Sequence, residues 1–227
     1  FGWIRDDIVV EMIEQGKYMV LIYPVWMRFI QEVCSVKKAT TDTDKTTVQE
    51  ELREYIIREQ IQVLDLKEFY AHYGITTICE NAFDGCTSLK TIVIPDGVTT
   101  IGGYAFQTCT SLTTVDIPNS VTTIGRYAFH GCTSLTTVVI PDNVTAIGVA
   151  AFQGCRGLTT VVIPDGVTTI GIATFQNCTS LTTIVIPDGV TTIGKCAFNG
   201  CTSLTTIAIP DSVTTIGRYA FYYCTSL

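Results

Sequence analysis

Residues Thr122 to Val144 read TTIGRYAFHGCTSLTTVVIPDNV, and close variants of this string return every 23 residues, at 76–98, 99–121, 122–144, 145–167, 168–190 and 191–213. A seventh copy opens at Thr214 and stops at Leu227. Each copy carries apolar residues at the spacing of Leu135, Val138 and Ile140, followed by Pro141 and Asp142. Side chains alternate faces along a strand, so this spacing predicts Val138 and Ile140 inward, with Thr137 and Val139 outward. Proline ends the strand because it has no amide to donate to a ladder, and the Asp after it suits a tight turn. A short extended piece with Val144 and Ile147 follows, and a tight arc containing Ala and Phe leads back to the next strand. One such coil buries too little apolar surface to offset the entropy of ordering its backbone. Coils must therefore stack, each strand pairing with its equivalent in the next copy about 4.8 Å away.

The repeated pattern IGxxAFxxCTSLTTVxIPDxV includes Ile124, Gly125, Ala128, Phe129, Cys132, Leu135, Ile140 and Pro141. It resembles the BspA-like class of leucine-rich repeats over residues 76–227. The resemblance implies a surface or secreted adhesion and interaction module without catalytic residues in its repeats. The expected fold is α+β: a leucine-rich-repeat solenoid of about seven coils with a parallel strand ladder, preceded by a helical N-terminal region.

With 47% hydrophobic and 15% charged residues, the chain can bury a sizeable core. Its net charge of -7 argues against nucleic acid or an acidic membrane as partner. The chain begins at Phe1 rather than Met and stops within a copy, so it reads as a fragment of a longer protein.

Ahead of the repeats, Ile4, Ile8, Val9, Met12 and Ile13 share one helical face, with Gly16 as a stop. The apolar stretch Tyr18 to Ile30 is too short to span a bilayer. Pro24 is expected to start a second helix that turns Trp26, Phe29, Ile30, Val33 and Cys34 to a small core. Lys37 to Thr47 reads as a polar linker, closing an N-terminal region of residues 1–47. A capping box of Thr47 and Glu50 opens a helix facing Val48, Leu52, Tyr55 and Ile56 inward. Ile61, Leu64 and Leu66 then reproduce the repeat spacing. Residues 48–75 thus read as a capping helix and a degenerate first coil, with Lys67 to Gly74 an insertion bulging outward.

Two ladders run at the repeat period. Cys86, Cys109, Cys132, Cys155, Cys178, Cys201 and Cys224 fit small buried hydrophobes better than disulfides, since parallel side chains give poor dihedrals. They lack the CxxC pairs and clustered histidines of a metal site. Asp96, Asp142, Asp165, Asp188 and Asp211 form the second ladder, read as local turn carboxylates rather than a calcium site. His72 and His130 recur in no other copy and have no evident nucleophile partner, so no enzyme, cofactor or metal is assigned. The sequons at Asn143 and Asn177 matter only in a secreted chain.

The expected partner-binding surface is the outward strand row: Thr91, Val93, Thr114, Asp116, Thr137, Val139, Thr160, Val162, Thr183, Val185, Thr206 and Ala208. Contiguous exposed apolar area marks interaction sites. On the arc, Tyr104, Arg126 and Tyr127 add residue types enriched at interface hot spots. The leading reading is a non-catalytic scaffold for protein binding or adhesion, at the cell surface or secreted by resemblance. Alternatives are a structural module that self-associates end to end, and an ice- or mineral-binding face of regular Thr-x-Val.

Overall fold

A computed structural model of the chain describes residues 20–21 and 41–227. The helix expected at Ile4 to Ile13 and the one from Pro24 lie outside the described residues.

The repeat period becomes hydrogen-bond register. Strands β1 (Val20–Leu21), β2 (Val63–Asp65), β4 (Thr91–Val93), β6 (Thr114–Asp116), β8 (Thr137–Val139), β10 (Thr160–Val162), β12 (Thr183–Val185) and β14 (Thr206–Ile207) form one parallel sheet in that order. Thr114 stands opposite Thr137 and Val115 opposite Val138, each 23 residues on, so every coil repeats its neighbour's position. The inward members Ile92, Val115, Val138, Val161 and Ile184 are buried, and Thr137, Val139, Thr160 and Val162 are exposed, as the alternation requires.

The short extended pieces form ladders of their own. β3 (Thr77–Ile78), β5 (Thr100–Ile101), β7 (Thr123–Ile124) and β9 (Ala146–Ile147) make a four-stranded parallel sheet. β11 (Thr169–Ile170), β13 (Thr192–Ile193) and β15 (Thr215–Ile216) make a three-stranded one. Between the two strands of a coil the chain turns at proline, whose carbonyl accepts from the amide three residues on, as Pro141 does from Val144 at 3.0 Å.

The arc closes each coil around a column of phenylalanines. Phe83, Phe106, Phe129, Phe152, Phe175 and Phe198 are fully buried, and adjacent rings stack nearly parallel, 5.2 to 5.7 Å apart. The arc is tight because two of its positions take left-handed backbone. One is held in successive copies by Asn81, Tyr104, Tyr127, Ala150, Ala173, Cys196 and Tyr219, the other by Gly85, Thr108, Gly131, Gly154, Asn177, Gly200 and Tyr223.

The region ahead of the repeats differs from the sequence reading in two places. Helix α1 spans Asp42–Glu59, so the polar segment expected to be a linker up to Thr47 already belongs to it. Its capping box is formed by Thr41 and Asp44, not by Thr47 and Glu50. The first turn is polar and lies largely in solvent, so it carries no apolar period to betray a helix. The expected inward face, Val48, Leu52, Tyr55 and Ile56, is buried. The second correction concerns Lys67 to Gly74, which does not bulge outward. It forms helix α2 (Lys67–Tyr73), and Phe69, Tyr70 and Tyr73 turn into the core. Leu64 stands opposite Ile92, which gives the first coil the register expected for it.

Gln49 ties α1 to the first coil. Fully buried, it donates to the Lys45 carbonyl and the Cys79 thiol at 3.1 and 2.9 Å. Its Oε1 accepts from the Tyr70 hydroxyl at 2.9 Å and the Cys79 amide at 3.1 Å. Cys79 occupies the column held by Gly102, Gly125 and Gly148 in later coils. There a Cβ would meet the preceding coil's backbone at 2.7, 2.6 and 2.4 Å, a separation only glycine permits. At Cys79 the side chain meets α1 instead.

Candidate interaction surface

The strand row is built by the backbone register alone. In β8, β10 and β12 the central residue is buried and its two neighbours are exposed. Val139, Val162 and Val185 are 69, 62 and 52% exposed, which for valines in regular strands leaves apolar faces fully in water. Thr114, Thr160, Thr183, Thr206 and Ala208 are exposed as well, while Thr91 and Val93 are half-buried. Asp116 stands between Val93 and Val139 in the same row, so one carboxylate interrupts an otherwise uncharged stripe.

Beside the row runs a column of threonines with a structural task. The hydroxyls of Thr113, Thr136, Thr159, Thr182 and Thr205 each donate to a carbonyl of the preceding coil, at 3.1 to 3.4 Å. Half of the Thr-Thr pair in each copy thus serves coil stacking, and the other half sits on the strand face.

The arc residues form a second group. The rings of Tyr104 and Tyr127 stack 5.0 Å apart with planes 2° from parallel. The Arg126 guanidinium lies 5.1 Å from the Tyr104 ring centre and donates to Glu80 Oε1 at 3.0 Å. The Glu80 bond is the main reason its pKa is raised, with Tyr104 adding to it. His130 meets Tyr127 edge-on at 5.7 Å, and its Nδ1 is buried without a partner. Burial lowers the imidazole's pKa, with Asp84 opposing. The arginine is already matched by a carboxylate, so this cluster is a rigid aromatic patch more than a charged socket.

Sequence reasoning passed over the column that holds Arg126. The same position carries Val149 and Ile172, 40 and 50% exposed, then Lys195 and Arg218. Alignment of the copies marks the column, but an apolar residue there looks like core until the arc geometry turns it outward. Asp96, Asp142, Asp165, Asp188 and Asp211 are exposed, and among the described residues no three His, Cys, Asp or Glu side chains gather as metal ligands would. No described helix is long and apolar enough to cross a membrane.

The BspA type leucine rich repeat region matches this chain in six copies, over residues 56–182 and 168–227. No curated protein matches it. Among solved structures, a leucine-rich repeat protein from Bacteroides ovatus is 39% identical with a TM-score of 0.66, covering 68% of this chain and 40% of that one. A leucine rich cell surface protein from Faecalibacterium prausnitzii is 44% identical with a TM-score of 0.65, covering 68% of this chain and 42% of that one. A leucine rich repeat protein from T. pallidum is 34% identical with a TM-score of 0.65, and the shared part covers 67% of this chain and 72% of that one. This chain therefore spans about two fifths of the Bacteroides and Faecalibacterium proteins. The period, the register and these matches agree: the chain belongs to the BspA-type leucine-rich repeat family.

Proposed function

We propose that this chain is a non-catalytic scaffold that binds a protein through its outward strand row. The observation that carries the reading is the exposure of Val139, Val162 and Val185 in adjacent strands, at 69, 62 and 52%. Three valines on a rigid sheet present a flat apolar stripe, and threonines on either side supply hydroxyls without charge. Such a stripe is stable in water but gains when a partner covers it. The Tyr104, Arg126 and Tyr127 cluster offers a second contact, since stacked rings lose little freedom on binding. An adhesive role at the cell surface follows from the likeness to the Faecalibacterium cell surface protein. Helix α1, bonded to the first coil through Gln49, acts in this reading as the cap of one end of the solenoid.

A capture experiment tests the row. The chain is immobilised beside a Thr137→Arg, Val162→Arg double variant and an Asp165→Arg control, all three checked for the same circular dichroism spectrum. Proteins retained by the wild type and the control but lost by the double variant support the reading. Equal capture by all three contradicts it.

A further inference from the structure

One joint between coils differs from the others. In the second ladder, the amides of Thr99, Thr122, Thr145, Thr191 and Thr214 each donate to the threonine carbonyl 23 residues earlier, at 2.8 to 3.0 Å. Gly102, Gly125, Gly148, Gly194 and Gly217 do the same to the preceding isoleucine at 2.7 to 2.8 Å. Thr168 and Gly171 form neither bond, and the ladder divides there into its four-stranded and three-stranded parts.

Three further observations fall on this joint. A Cβ on Gly102 would meet the Ile78 carbonyl at 2.7 Å, whereas one on Gly171 would stand 3.7 Å from the equivalent Ile147 carbonyl, so the coils are further apart. Ile147 is 9% exposed, while Ile78, Ile101, Ile124, Ile170 and Ile193 in the same column are 0 to 1%. In the main sheet, β8 and β10 register through the single pair Thr137 and Thr160, where β6 with β8 and β10 with β12 register through three pairs. The chain path Thr137 to Ile147 faces Thr160 to Ile170 along its whole length, so a thinned ladder leads into a broken one.

Thr174 accounts for the break. Six copies place alanine there, as Ala128 and Ala151 show, in a slot with no exposure. Thr174 puts a branched side chain into that slot, itself fully buried, with its Oγ1 unpartnered. The hydroxyl lies 3.3 Å from where a Cβ on Gly171 would stand. The turn bond that closes the other arcs, such as Ala197 to Gly194 at 3.3 Å, is missing between Thr174 and Gly171. Close-packed interiors answer added volume by shifting backbone, and here the shift is taken up between coils.

We infer that the solenoid carries a built-in joint between residues 145–147 and 168–171, at which its two parts open before any other pair of coils. Repeat arrays are held by nearest-neighbour interfaces, so one weak interface sets where the array opens. The strand row crosses this joint between Val139 and Val162, which makes the curvature of that row adjustable at one place. The joint is a property of the free chain, whatever binds the row.

Native-state hydrogen exchange, read by mass spectrometry or NMR on the wild type, Thr174→Ala and Ala197→Thr, tests it. The amides of Thr168 and Gly171 should exchange at least about tenfold faster than those of Thr191 and Gly194, the effect of one net hydrogen bond. Thr174→Ala should bring them to the rate of their counterparts, and Ala197→Thr should speed Gly194. Equal rates in the wild type, fast exchange that persists in Thr174→Ala, or no change at Gly194 in Ala197→Thr would each overturn the joint.

Discussion

The thiol of Cys155 donates to the carbonyl of Phe129, 26 residues earlier, at 3.1 Å, while the same carbonyl accepts from the amide of Cys132 at 3.2 Å. One oxygen thus serves two coils, and the arrangement recurs from Cys109 to Cys224. The ladder of cysteines is a column of buried donors, each filling a lone pair the backbone leaves over. Burial pushes the thiols of Cys86, Cys132 and Cys201 from 9.0 up to about 12.

This fixes the sign of a pH effect. Above about pH 9 the unfolded chain loses these thiol protons while the folded chain keeps them, so the stabilisation present below pH 9 falls away as the pH approaches 12. Each thiol should lower stability by about 1.4 kcal/mol per pH unit in that window. Urea unfolding at pH 9, 10 and 11 should show a shallower decline in Cys132→Ala than in the wild type. Equal slopes would mean the thiol titrates normally in the fold.

The phenylalanine column makes a second prediction. Phe129 stacks on Phe106 at 5.2 Å and on Phe152 at 5.3 Å, and it is fully buried. Phe129→Ala should lower unfolding stability by about 3–5 kcal/mol. Phe221 is half-buried and stacks on Phe198, so Phe221→Ala should lose clearly less. Urea denaturation of both variants decides it, and equal losses would contradict the stacked column as the seat of the core.

A stabilising change is available in the arc. Thr108 holds a left-handed backbone, φ 54°, at a position that glycine fills in Gly85, Gly131, Gly154 and Gly200. A branched residue is strained there, and its hydroxyl recovers one exposed-side bond to Asp84 at 3.3 Å. Thr108→Gly should raise stability by about 0.5–1 kcal/mol, after the greater freedom glycine gives the unfolded chain. A lower urea midpoint would show that the Asp84 bond outweighs the strain.

The main sheet was legible in the sequence because its period is also its register: once Val115 and Val138 are seen to be copies, their pairing and their shared inward face follow. The strand row could be read for the same reason, since outward residues alternate with inward ones. Helix α1 was visible only from Val48 onward, where burial imposes an apolar period; its first turn is fixed by the Thr41 and Asp44 cap alone. Helix α2 occurs once, so no repetition announced it, and its aromatic face was mistaken for an exposed insertion. The joint was written in the sequence as a single Thr174 among alanines, but its effect depends on how tightly Gly171 must approach Ile147, which no sequence pattern states.

The account's central claim is that one side of every strand holds the coils together and the other is free for recognition. Thermal unfolding of Val161→Arg beside Val162→Arg tests it most directly, since the two positions are adjacent and 2 and 62% exposed. Val162→Arg should stay within about 0.5 kcal/mol of the wild type, and Val161→Arg, which buries an unpaired charge, should lose more than about 4 kcal/mol or fail to fold. A tolerated Val161→Arg, or a Val162→Arg that unfolds, would contradict it.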